Sequence, residues 1–198
     1  MHHSMKYSID LTWQTPPEWV KVVLDNFDTF LQDHADAERK ASAMAMSFVA
    51  KCPDKKEIID ELIETSIEEL EHFRMVYAIM QKRGINLRHE IYQDIYASET
   101  IKFCRSGVND RLLDRMLLAS IFECRGAERF KLVADNVEDP ELKAFYKLLW
   151  TTEAKHGNIF VKMALRYWDD KEVYERLNYL MQKEGEICAA LPLRPALH

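Results

Sequence analysis

Glu69-Leu70-Glu71-His72 and, 84 residues later, Glu153-Ala154-Lys155-His156 are the stretches that decide how this chain is read. In each, a glutamate and a histidine stand three positions apart. At ~100° per residue the two differ by only ~60° around a helix, so both side chains can reach one metal ion from the same face. One such pair is common on solvated helices and says little. Two in matched context say more, because a further glutamate precedes each. Glu38 lies 31 residues before Glu69, and Glu123 lies 30 before Glu153. The chain repeats Glu…Glu-x-x-His, and the repeat implies two helical hairpins, each bringing one carboxylate opposite a Glu-x-x-His pair.

A hairpin imposes a test of level, since facing residues must lie equally far from the turn. Glu38 is 15 residues before Pro53 and Glu69 is 16 after it; Glu123 is 16 before Asp139 and Glu153 is 14 after it. The rival Glu128 lies only 11 before Asp139, nearly a turn out of level. Glu123 also falls on the apolar stripe of Leu113, Met116, Ser120, Ala127 and Phe130. It is therefore taken as the ligand, with Glu128 as a carboxylate beside the site. Four carboxylates converging in a bundle core would repel one another and lose hydration, a costly arrangement unless cations offset it. Four carboxylates with two imidazoles suit iron or manganese better than structural zinc. His34, one turn before Glu38, reads as packing or hydrogen bonding at the site's edge. Tyr146 and the nine methionines read as core.

Around these motifs the spacing predicts an all-α chain. The first helix starts at Pro16-Pro17 and runs to about Ala50. The second spans about Lys55 to Arg83 and stops at Gly84. Residues 85–109 are irregular, with a short helix within Glu90–Phe103. The third runs from about Asp110 to Asn136, the fourth from about Glu141 to Trp168, and an additional C-terminal helix from about Lys171 to Ala190. Short joints at 52–54 and 136–140 make two antiparallel hairpins, and the 25 residues between the hairpins are long enough to cross a bundle. Two hairpins with one long crossover form a ferritin-like four-helix bundle, expected here as a single domain over 1–198.

Composition narrows the function. With 27 Lys and Arg against 33 Asp and Glu, the net charge of −6 gives no general attraction to nucleic acid. Cys52, Cys104, Cys124 and Cys188 are scattered without a C-x-x-C pair, as expected for packed, reduced thiols. No apolar run approaches the ~20 residues of a membrane span. The N-terminal Met1-His2-His3-Ser4-Met5-Lys6 lacks the features of a secretory signal, so cytoplasmic residence is expected.

The wording around the ligand candidates resembles that of the MiaE-type tRNA hydroxylases, a ferritin-like di-iron family. The matching stretches are HADAERKASAMAMSFVAK around Glu38, EELEHF around Glu69 and His72, IFECRGAERF around Glu123, and TEAKHG around Glu153 and His156. The similarity extends over nearly the whole chain. It implies an oxygen-dependent monooxygenase that hydroxylates the isopentenyl side chain of 2-methylthio-N6-isopentenyladenosine in tRNA. It also implies a carboxylate-bridged pair of iron ions on Glu38, Glu69, His72, Glu123, Glu153 and His156, dioxygen as co-substrate, and an external electron donor such as a reductase. Phosphate contacts would come from Lys51, Lys55, Lys56, Lys82, Arg83, Arg88, Arg125, Arg129, Lys155 or Lys162, although Arg125 and Arg129 serve equally well as partners of carboxylates near the site. Two competing readings stand beside this one. The first is a ferritin-like iron-oxidising or peroxide-consuming protein without an organic substrate, and the second is a metal-free binding bundle.

Overall fold

The computed structural model describes residues 9–90 and 94–198, save the side chain of Lys155. These residues form eight helices and no strand: α1 Glu18–Asp25, α2 Phe27–Lys51, α3 Lys56–Lys82, α4 Ile95–Ile101, α5 Val108–Asn136, α6 Pro140–His156, α7 Ile159–Ala164 and α8 Asp170–Ala190. They divide into two compact units, one of residues 17–93 and 193–197, the other of 1–16, 94–192 and 198. The N-terminal six residues lie outside the described ones, as do Ile91, Tyr92 and Gln93 of the predicted short helix; among the described residues that helix is α4, starting after its Asp94 cap.

In the unit of 17–93, the first predicted helix is in fact two. Asn26 leaves helical geometry at φ −136° and ψ 44°. Its side-chain amide donates to the Val22 carbonyl at 3.0 Å and its backbone N–H to Val23 at 3.0 Å. An asparagine that satisfies the preceding turn in this way competes with continuation of the helix. The kink lets Trp19 of α1 pack edge-on against Phe30 of α2, with ring centroids 6.0 Å apart and both side chains buried. Buried aromatic and aliphatic side chains of this size each contribute roughly 1.5–3 kcal/mol. After the turn at Cys52–Lys55, α3 returns antiparallel to α2. Its end is closed by Gly84 at φ +70°, with the Ile85 N–H bonded to the Met80 carbonyl at 2.9 Å. Glycine accepts this left-handed stop without a Cβ clash.

The α2–α3 register is held by a reciprocal serine pair. Ser42 Oγ donates to the Ser66 carbonyl at 2.8 Å, and Ser66 Oγ donates to the Ser42 carbonyl at 3.0 Å. Both serines lie within about one turn of the Glu38 and Glu69 positions.

In the other unit α5 is the hub, with α6, α7 and α8 packed on it and α4 against α8. Leu113, Leu117, Leu118 and Ile121 of α5 meet Val161 and Ala164 of α7 and Val173, Leu177 and Leu180 of α8. The run Met116–Ile121 is buried on every side, which explains why α5 lacks a clean polar face there. Asp139 caps α6, accepting from the Glu141 and Leu142 N–H groups, with Pro140 at the first helical position. The fourth predicted helix is broken at Gly157–Asn158 and ends at Ala164, ahead of Trp168. Beyond it Asp169 accepts from the Lys171 N–H and starts α8, the additional C-terminal helix.

Candidate metal centre

Each ligand candidate is placed by the apolar stripe of its own helix. On α2, Glu38 follows Phe30, Leu31, His34 and Ala35 on the buried side; on α3, Glu69 and His72 lie between Leu62 and Val76. Glu38 is 4% exposed, Glu69 1% and His72 7%. Their ligating atoms lie within 4.8 Å of one another. His72 Nδ1 stands 3.4 Å from Glu69 Oε2 and 3.9 Å from Glu38 Oε2. His34, fully buried, meets Glu38 Oε1 through Nε2 at 2.7 Å, as expected of a side chain that orients the carboxylate. Two carboxylates and an imidazole in so small and dry a space fit a divalent cation, which offsets charges that burial would otherwise make costly. These three residues belong to a buried Glu/His group able to bind a metal.

In the other unit Glu123 sits on α5, buried, and Glu153 on α6 is 2% exposed with its Oε2 3.7 Å from His156 Nδ1. The structure thus brings the second Glu-x-x-His pair together as the first, with the histidine ring more open, its side chain 14% exposed. Hairpin counting put Glu123 level with Glu153, and here the register differs. Ser120 Oγ accepts from the Val161 N–H at 3.2 Å, Cys124 Sγ faces the Gly157 carbonyl at 3.7 Å, and Lys131 Nζ lies over the Trp150 ring at 5.9 Å. Seven residues along α5, from Cys124 to Lys131, thus match seven back along α6, from Gly157 to Trp150. Glu123 is therefore level with the His156 end of the pair, and Glu128 with Glu153. Direction, rather than level, separates the two glutamates. Glu128 turns aside, accepting from the Thr15 N–H at 2.6 Å and hydroxyl at 2.7 Å and from Arg125 at 2.7 Å.

Gly157 sets how closely α5 and α6 approach beside this pair. A Cβ there would lie 2.5 Å from Cys124 Sγ. Gly157→Ala is expected to lower stability by about 1–3 kcal/mol through overpacking. Adding Cys124→Ala should restore most of the loss, as read by thermal melts of the single and double variants; an unchanged melt for the single variant would remove this contact as a constraint.

Sequence reasoning missed Glu184. It lies on the buried stripe of α8, 0% exposed, and forms a two-pronged ion pair with the equally buried Arg125 at 2.8 and 2.9 Å. Tyr96 Oη and Cys188 Sγ also bond to it. Burial raises its pKa and the Arg125 guanidinium outweighs that, so the carboxyl sits below its ordinary range. A glutamate in line with Val173, Leu177, Leu180 and Cys188 was the available signal. Arg125 is accordingly no phosphate contact, and Arg129, 7% exposed beside Thr15, is no better placed. Tyr146 is ordinary core, buried between Phe130 and Phe145.

A family model described as tRNA-(MS[2]IO[6]A)-hydroxylase (MiaE) matches residues 5–198. A Pseudomonas putida protein named tRNA 2-(methylsulfanyl)-N(6)-isopentenyladenosine(37) hydroxylase is 30% identical over 173 residues, covering 87% of this chain and 83% of its own. A Salmonella typhimurium protein of the same name is 30% identical over 143 residues, 72% of this chain and 50% of its own. Among solved structures, a Synechococcus protein with aldehyde deformylating oxygenase activity superposes with a TM-score of 0.87 at 29% identity, covering 93% of this chain and 92% of that one. The fold class is the expected ferritin-like one.

Proposed function

This chain belongs to the MiaE family of tRNA hydroxylases, and from that premise we propose that it hydroxylates the isopentenyl side chain of 2-methylthio-N6-isopentenyladenosine in tRNA, using two iron ions, dioxygen and an external electron donor. The observation that carries this reading is the doubled Glu…Glu-x-x-His set, all six members buried or nearly so, in a chain whose relatives bear the hydroxylase name. The alternative of an iron-oxidising or peroxide-consuming protein has no comparable support among those relatives.

Glu38, Glu69 and His72 from one hairpin and Glu123, Glu153 and His156 from the other would hold the metals. When bound, the iron pair supplies the redox chemistry that dioxygen needs in order to attack an unactivated carbon. One oxygen atom enters the carbon–hydrogen bond and the other leaves as water, which requires two electrons and two protons from the donor. The chain's own side chains set the conditions. His34 holds Glu38 in a single orientation through its 2.7 Å contact, limiting the freedom of that carboxylate. The Ser42–Ser66 pair keeps α2 and α3 from sliding, so Glu38 stays opposite Glu69 and His72. The aromatic and aliphatic layers on either side, Phe30 and Phe48 with Leu62 and Val76, exclude water from the carboxylates. No helix among the described residues is long and apolar enough to cross a membrane, and a tRNA substrate would place the protein in the cytoplasm.

The test is mass spectrometry of nucleosides from prenylated tRNA after incubation with iron-loaded protein, reductant and air. The expected result is a gain of one oxygen atom on the prenylated nucleoside, dependent on protein and reductant. An unchanged nucleoside profile with fully loaded protein would refute the reading.

A further inference from the structure

Beyond the reaction, we propose that this chain pairs with a second copy of itself through the outer face of the α2–α3 hairpin. Each α2 lies along α3 of the other copy, about a two-fold axis that runs down the seam between the helices. The reciprocal Ser42–Ser66 bonds fix which residues of these antiparallel helices are level. Counting outward from them, Met46 is level with Ile63, Ala43 with Ile67 and Arg39 with Leu70, each to within about 3 Å of helix rise. Positions 39, 43, 46 and 50 of α2 recur every three or four residues, as do 59, 63, 67 and 70 of α3, so each set is one helical stripe. Both lie away from the buried stripes that carry Glu38 with Ala45 and Leu62 with Glu69. The result is an apolar strip along the outside of the hairpin, with Met46 44%, Ile67 48% and Leu70 55% exposed. Outward helix faces are ordinarily polar, and large apolar side chains gathered there mark a surface for association.

The charges flanking the strip select the occupant. Along the outer side of α2 they run Asp28, Asp33, Asp36 and then Arg39, Lys40, Lys51. Along that of α3 they run Asp60, Glu64, Glu68, Glu71 and then Arg74, Lys82. The sign changes between 36 and 39 on one helix and between 71 and 74 on the other, levels that agree within about 3 Å. Because the helices are antiparallel, α2 is basic where α3 is acidic, and acidic where α3 is basic. Two places depart from this: Lys56 stands beside Glu57 at the turn end, and Asp33 is already met by Arg88. A two-fold axis along the seam exchanges the two helices without changing level, so it sets basic against acidic on both sides of the sign change. Lys40 then meets Glu68 of the second copy, and Asp36 meets its Arg74. Within one chain Arg39 and Lys40 pair back onto Asp36, and Arg74 onto Glu71, with all three basic side chains still exposed.

A partner of uniform charge is repelled by one edge or the other, whereas an isologous pair satisfies both at once. The face is also large enough. Helices of 25 and 27 residues lying side by side present about 750 Å² per copy, close to the roughly 800 Å² per partner of a stable interface. Pairing would brace the hairpin at the level of two ligand candidates, since Arg39 follows Glu38 and Leu70 follows Glu69.

The experiment is sedimentation velocity of the full chain over a concentration series, where the parent should reach the mass of two 23.3 kDa chains. Ile67→Asp/Leu70→Asp should raise the Kd of self-association about a hundredfold or more, because the interface would bury carboxylates without a cation. Leu148→Asp, at a similarly exposed leucine on α6, should associate as the parent does. Lys40→Glu should weaken pairing about tenfold, and Lys40→Glu/Glu68→Lys should restore it. Circular dichroism checks that each variant stays helical, and the charge reversal tests the arrangement with no apolar side chain changed. A parent that stays a single chain at every concentration would overturn the proposal, including the case in which the face receives a different protein. Undiminished pairing in the double aspartate variant, or no rescue by Glu68→Lys, would overturn it as well.

Discussion

Glu153→Ala is expected to abolish metal loading and hydroxylation together while leaving a helical, folded chain. Glu153 is 2% exposed on α6, with His156 at 3.7 Å, and a carboxylate in such a place is there for a cation or for a cost. Alanine removes the charge and the oxygen donors without adding volume, and it is the best helix former, so the backbone of α6 has no reason to change. Losing one ligand from a set of six should lower bound iron per chain and reduce turnover by on the order of a hundredfold or more. Iron analysis, circular dichroism and the nucleoside assay on one preparation separate the outcomes. A variant that keeps both iron and activity takes Glu153 out of the ligand set. One that loses its helical signal shows a structural role instead.

The second large effect concerns stability. Arg125→Ala strands Glu184, fully buried, without its bidentate partner. Breaking one member of a buried pair typically costs about 3–5 kcal/mol, because the remaining charge stays desolvated. For a chain of this size that is a fall in Tm of roughly 10 °C or more. The pH dependence gives a sharper signature. In the parent, the carboxyl of Glu184 sits below its ordinary range because Arg125 outweighs burial. Its contribution is therefore complete above the pKa of an unfolded glutamate and is lost as pH falls through the depressed folded value. With Arg125 gone, burial, the largest influence on this group, should outweigh the remaining Tyr96 and Cys188 hydrogen bonds and raise the carboxyl above its unfolded value. Stability of the variant should then increase as pH is lowered from neutral toward 5, opposite to the trend this group imposes on the parent. Denaturant midpoints at pH 5 and 7 for both proteins decide it: equal shifts at the two pH values would rule out Glu184 as the stranded charge. Replacing both residues by methionine should recover much of the loss, since an apolar pair carries no desolvation penalty.

The two effects mark different kinds of information. The two Glu-x-x-His pairs were legible because each is local. Glu69 with His72 and Glu153 with His156 are one helical turn apart, and the level of Glu38 follows from counting back through a short turn. The Arg125–Glu184 pair was not legible as a pair. Its members are 59 residues apart, and nothing near Arg125 says which carboxylate it meets. Glu128, which the sequence left beside the site, is drawn away by Thr15 and Arg125.

Periodicity and spacing in the chain were enough to determine an all-helical chain, two antiparallel hairpins, an added C-terminal helix and the two Glu-x-x-His pairs, because each depends on contacts within a few turns. Tertiary packing decided the close approach at Gly157, the α5–α6 register that levels Glu123 with His156, and the partners of Arg125. Those depend on which surfaces meet across long stretches of chain, where a residue's neighbours, rather than its own preferences, set the free energy.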